Sequence, residues 1–151
     1  MIQQVSYWEE IAVNFGRVAV AYVLTASIGW EREREDHSAG VRTFPIVGMA
    51  SCGYLLLLGD QADPAAQSRL LQGLITGIGF IGGGAILKDG ATVRGTATAA
   101  SVWNAGVIGA AVALNHYGIA TTLALFNLFT LRALLPIKRW LDRDRIGKSG
   151  S

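Results

Sequence analysis

From Thr96 to Leu131 the chain carries no Asp, Glu, Lys or Arg across 36 positions. An uncharged apolar run of about 18 residues or more reads as a membrane-spanning helix. This one is long enough for two spans joined by the tight turn "NHYG" (Asn115 to Gly118). A second run, Leu70 to Leu87, has 18 residues without a formal charge. A water-soluble protein of 151 residues can bury one such helix but not several. Charged residues make up 16% of the chain, against about 25% in an ordinary soluble domain.

Hydropathy places five spans, at about 11–30, 41–59, 70–87, 97–114 and 118–137. Each is 18 to 20 residues, about 27–30 Å at 1.5 Å per residue, which matches a bilayer core. Lipid offers no partner to free backbone groups, so the spans are expected to be helices. The runs do not alternate as barrel strands do. The expected fold is therefore an all-α, polytopic transmembrane bundle over residues 1–137, with a short basic cytoplasmic tail over 138–151. The positive-inside rule orients it. Eleven of the 13 Lys and Arg residues fall in the odd-numbered connections, at the end of span five (Arg132) or in the tail; only Arg17 and Arg69 fall on the other side. The N-terminus is expected outside and the C-terminus in the cytoplasm. Tyr7, Trp8 and Tyr117 mark the outer interface, Trp30 and Trp140 the inner one, and Trp103 sits inside span four. No cleavable signal peptide is expected, because Glu9 and Glu10 precede the first span where basic residues would stand.

Residues 77–82 read "GIGFIG", a literal G-x-G-x-x-G. A dinucleotide site needs a preceding strand and an acidic residue about 20 positions on. Here the glycines lie within an apolar run, and no acidic residue occurs from Gly90 to Leu141. The later "GKS" (Gly147 to Ser149) has Asp142 where a phosphate-binding loop needs glycine. In lipid, small residues let helix backbones approach closely. Gly73 with Gly77, and Gly79 with Gly83, are spaced for that. Gly82 and Gly84 widen the small face, so span three is expected to be the central helix. The other reading of these glycines is a locally unwound segment whose carbonyls line an ion path.

Cys52 is single, and His37 and His116 lie far apart, so no metal site is expected. No nucleophile, base and orienting group form a recognisable set, so no enzyme and no cofactor is expected. Glu31, Glu33, Glu35 and Asp36 are interleaved with Arg32 and Arg34, which partly neutralises them. No span has a carboxylate at its middle, and the hydroxyls of Thr76 and Thr98 are what remains as oxygen ligands beside carbonyls.

Several stretches together resemble one family. They are "SIGWERE" (Ser27 to Glu33), "AGVRTFPIVGMASC" (Ala39 to Cys52), Asp63-Pro64, "GIGFIGGGAI" (Gly77 to Ile86) and "VRGTATAASVWNAGVIGAAV" (Val93 to Val112). Their order and spacing are similar to those of the MgtC/SapB family of bacterial inner-membrane proteins, over roughly residues 15 to 135. The resemblance implies a multi-pass inner-membrane protein linked to growth at low magnesium and, in pathogens, to survival in macrophages. It also implies partners among membrane proteins, such as the membrane sector of the F-type ATP synthase. It marks Gly40, Arg42, Thr43, Asp63, Gly77, Gly79, Phe80, Gly82, Gly84, Arg94, Gly95, Thr98 and Trp103 as motif positions. Longer members carry a soluble domain after the last span, so a short form is expected. Where the family usually reads G-L-T-T-A-A, Ala97 replaces a polar residue.

Charged residues at the span ends complete the candidates. Arg17 lies about two turns into span one, where a charge either snorkels outward or finds a partner, with Asp60 and Asp63 as candidates. Glu31, Arg32 and Arg42 gather at the inner ends of spans one and two, and Arg94 joins them from the third connection. They form either a solvated rim or a cluster that fixes the helix ends and offers a docking face. The leading function is a membrane regulator that binds other membrane proteins, in a homo-oligomer with a dimer favoured. The other is an ion or small-solute transporter built around the glycine-rich span. No nucleic-acid partner is expected.

Overall fold

The computed structural model describes residues 7–34, 39–59, 63–90 and 92–148. Glu35, Asp36, His37, Asp60 and the last three residues lie outside them, as do the side chains of residues 135–148, Trp140 among them. Five helices follow the five apolar stretches: α1 (Tyr7–Glu33), α2 (Thr43–Leu56), α3 (Pro64–Gly84), α4 (Thr96–Ala113) and α5 (Tyr117–Lys148). Between α3 and α4 lies a small antiparallel hairpin, β1 (Leu87–Asp89) and β2 (Thr92–Arg94). It pairs Leu87 with Arg94, Lys88 with Val93 and Asp89 with Thr92. The hairpin is the one departure from an all-helical chain, and hydropathy alone read this segment as a loop.

The local chemistry explains the boundaries. Glu9 and Glu10 in the first turn of α1 and Arg32 in its last complement the helix dipole. Pro64 opens α3, where its missing N–H costs nothing. Gly95 caps the start of α4 with φ +86, and a Cβ there would collide with the Ala85 carbonyl oxygen. Both the left-handed backbone and the close approach reserve that position for glycine.

Three helices are long and apolar enough to cross a membrane: α1, α4 and the Tyr117–Leu134 part of α5. The apolar α2 has 14 residues, about 21 Å at 1.5 Å per residue. The first half of the 21-residue α3 carries Gln67, Ser68, Arg69 and Gln72, so its apolar part is shorter than the helix. Helix α5 continues past residue 137 to Lys148 without a break.

The central helix is α4, not α3 as the glycine count suggested. Helices α1, α2, α3 and α5 all pack against α4, whereas α3 buries only Ile78 and Gly82. The reason is where the small residues meet backbone. A Cβ on Gly109 would strike the Gly48 carbonyl oxygen of α2, and one on Gly106 would strike the Ile78 side chain of α3. A Cβ on Gly48 would come within 2.6 Å of the Thr25 hydroxyl of α1. By contrast, Gly73, Gly77, Gly79, Gly83 and Gly84 face open space. Of the glycine-rich motif only Gly82 is packed, 3.0 Å from the Ala99 carbonyl oxygen measured from an added Cβ.

Several polar side chains in the bundle bond across helices or back onto their own. Ser101 Oγ donates to Asn127 Oδ1 at 2.9 Å, and Asn104 Nδ2 donates to the Leu123 carbonyl at 3.3 Å, joining α4 to α5. Thr25 and Ser51 donate to the carbonyls of Ala21 and Val47 in the preceding turn. Many large apolar side chains point outward: Phe15, Val23, Leu125, Phe126 and Phe129 are all more than half exposed. Apolar surface on that scale is incompatible with water and fits lipid.

The packing yields a paired expectation. Gly109→Leu should lower the melting temperature of the detergent-purified protein, since overpacking costs about 1–3 kcal/mol and here the obstacle is backbone. Gly77→Leu should leave monomer stability within roughly 0.5 kcal/mol. Equal effects of the two substitutions, read by thermal unfolding, would contradict the placement of α4 at the centre.

Candidate functional site at the end of helix α1

The end of α1 is where charge enters the bundle. Glu31 is 9% exposed and Arg32 only 3%. Glu31 is held from α5: Arg132 donates to its Oε2 from both Nε, at 2.9 Å, and Nη2, at 2.7 Å. The two residues are 101 positions apart, so the contact ties the first helix to the last. The Arg132 side chain is itself 59% exposed, so one half of the pair is buried and the other meets the surroundings. Two charge-assisted bonds to one oxygen leave Oε1 of Glu31 with acceptor capacity.

Residues 39–42, which lead into α2, contact the same end. Glu33 Oε2 accepts a hydrogen bond from the Val41 N–H at 3.0 Å. A Cβ on Gly40 would run into the Glu33 carboxylate. A Cβ on Gly29 would sit 2.9 Å from the Gly40 carbonyl oxygen and 3.1 Å from Phe44 Cβ. That Gly40 carbonyl accepts from the Thr43 and Phe44 N–H groups, at 3.1 and 3.3 Å, and so starts α2. The "AGVRT" motif is thereby explained piece by piece. Ala39 and Gly40 are buried, Arg42 caps α2 while exposed, Thr43 is its first residue, and the fully buried Phe44 plugs the gap beside Gly29.

The expected gathering of Glu31, Arg32, Arg42 and Arg94 is only partly met. Glu31 and Arg32 are neighbours in the buried end of α1. Arg42 and Arg94 are exposed, and among the described residues neither forms an ion pair with Glu31. The residue that does, Arg132, was seen in the sequence only as one more basic charge. Its signal was present: it ends a 36-residue uncharged run, at the same end of the bundle as Glu31. A charge at that depth needs a partner.

The remaining motif positions divide by environment. Gly77 and Gly79 are exposed on α3, Phe80 beside them is 83% exposed, and Gly84 is open. Trp103 projects from α4 with 46% of its surface exposed. Thr98 is fully buried in the first turn of α4, and its hydroxyl has no hydrogen-bond partner among the described residues. At the far end of the bundle Asp63 precedes α3 and faces Arg69 at 4.0 Å, both well exposed. Arg17 is half-buried in the wall of a cavity there. Among the described residues no three His, Cys, Asp or Glu side chains are grouped to hold a metal ion.

The sequence profile of the MgtC family matches residues 18–140. Protein SrpB of Synechococcus elongatus is 32% identical over 144 residues, covering 85% of this chain and 79% of SrpB. Protein MgtC of Brucella abortus (strain 2308) is 29% identical over 133 residues, covering 86% of this chain and 56% of the relative. A third relative, "Putative magnesium transporter YhiD" of Escherichia coli (strain K12), is 31% identical over 126 residues, covering 75% and 59%. The chain thus spans little more than half the length of the Brucella and Escherichia proteins. No solved structure matches it. With the profile covering most of its length and apolar helices suited to a bilayer, the chain is a membrane protein and belongs to the MgtC family.

Proposed function

We propose that this protein is a non-enzymatic regulator of the bacterial inner membrane, tied to growth under low magnesium, that works by binding other membrane proteins. The observation that carries the reading is the open face of α3. Among the described residues nothing comes within 4 Å of a Cβ added at Gly77, Gly79, Gly83 or Gly84, and Phe80 stands among them 83% exposed. In lipid such a face admits a second helix at short distance, with an aromatic side chain as its anchor. A second copy of this chain and a helix of another complex, such as the ATP synthase membrane sector, are the partners proposed for it. The magnesium link rests on the family resemblance and on the name of the Escherichia relative. The Glu31–Arg132 pair supports the reading indirectly, since it fixes the end of α1 against α5, beside which a partner would sit.

We further propose five membrane crossings, with the N-terminus outside and the C-terminus in the cytoplasm, from the 11-to-2 division of basic residues. Reporter fusions after Asp63 and after Lys148 should report opposite sides; activity from the same side at both ends that topology.

Deleting the gene should impair growth at limiting magnesium. Complementation should fail with Phe80→Ala, whose product still reaches the membrane. Glu31→Gln or Arg132→Gln should lower the amount of folded protein, because each strands a charge, and exchanging the two residues should restore it in part. Magnesium flux through liposomes holding only this protein is the result that would replace the regulator with a transporter.

A further inference from the structure

At the end of the bundle opposite Glu31, a cavity of about 470 Å³ opens between α1, the end of α2 and the end of α4. That is within the range of small-molecule sites, about 300–1,000 Å³. We propose that it binds a small zwitterionic solute, an amino acid or a short peptide.

The charges in the wall carry the argument. Glu10, Asn14 and Arg17 line the cavity from α1 at positions i, i+4 and i+7, which share one helix face. Asn14 and Arg17 are half-buried, and Glu10 is exposed nearer the mouth. Two helices also end in this wall: α2, with Leu55 and Leu56, and α4, with Ala113 and Leu114. A helix C-terminus carries a partial negative charge, about half an elementary charge. The positive φ of Asn115, +61°, stops α4 at this point and puts Asn115 itself in the wall.

The wall therefore offers both signs. Glu10 and the two helix ends attract an ammonium group, and Arg17 attracts a carboxylate. A simple cation meets Arg17, and a simple anion meets Glu10 and the carbonyl ends. A molecule bearing both groups satisfies each. The proposal does not require Arg17 to lack a partner within the protein, because a guanidinium has five N–H donors to distribute. The amides of Asn14, Gln67 and Asn115 add donors and acceptors, while Leu55 and Leu56 give an apolar wall for a side chain.

This inference stands on the cavity alone and does not rest on the regulator reading. The test is calorimetric titration of the full chain in detergent with L-leucine and with L-alanyl-L-leucine. The two arms separate a free amino acid from a peptide, and saturable binding of either supports the proposal. 4-Methylpentanoate and 3-methylbutylamine, each with one of the two charges, should bind at least about tenfold more weakly. Arg17→Gln and Glu10→Gln should weaken binding of the zwitterion by about tenfold or more. Should Arg17→Gln fail to fold, Gln67→Leu, reaching the same space from α3, replaces it and should also weaken binding. The proposal falls if neither zwitterion saturates at millimolar concentration, or if a single-charge analogue binds as tightly. It falls equally if the folded variants bind as the unaltered protein does, or if magnesium chloride alone competes with the zwitterion.

Discussion

Everything else in the bundle is arranged around the short distance between the backbones of α2 and α4. Where Gly109 passes the Gly48 carbonyl oxygen, even a methyl group would not fit. In lipid no hydrophobic force draws helices together, so their association depends on dispersion contacts and interhelical hydrogen bonds. Dispersion is strong only where surfaces meet without gaps, and small residues permit the longest such contact. Helix α4 supplies them along one broad face: Ala105, Gly106, Gly109, Ala110 and Ala113 are all buried. The result reverses the size order of a soluble core, with small residues inside and the phenylalanines of α1 and α5 outside.

The same close approach sets the position of the charged end. Gly48 lies against Thr25, and Gly29 lies against Gly40 and Phe44, so α1 and α2 run together up to their connection. Gly40 and Val41, just before α2, lie against the end of α1, where Glu33 takes the Val41 N–H. Glu31 is buried as a consequence, and a buried carboxylate needs a cation. Arg132, on the far helix, supplies it. Packing thus creates the requirement that the ion pair meets.

The two ends of the molecule differ in character. At one, Glu31 and Glu33 at the end of α1 are held by Arg132 and by the Val41 N–H. At the other, α2 and α4 stop short and leave a polar cavity walled by α1. Along the side, α3 is held at Ile78 and Gly82 and leaves most of its glycines uncovered. A helix fastened along one stripe keeps its other faces for whatever lies beside it in the membrane. Family membership and structure thereby bear on different questions, the first on physiological setting and the second on which surfaces are available.

The uncharged runs by themselves determined that the chain is helical and belongs in lipid, because no other structure satisfies its backbone there. The turn signals at Asp63-Pro64, Gly90, Gly95 and "NHYG" set most of the boundaries, each through a backbone requirement local to a few residues. The motif order identified the family. Centrality was not legible in this way. Glycines in α3 and α4 look alike in sequence, and only the arrangement of neighbours shows that Gly109 meets a carbonyl while Gly77 meets nothing. The hairpin at 87–94 was hidden because three-residue strands leave no periodicity to read. Arg132 was counted as a topology signal, yet its pairing with Glu31 depends on which helices pack together 101 residues apart. Local steric and solvation rules act through adjacent residues and so are written in the sequence; partner choice is a property of the whole packing, and only the tertiary structure decided it.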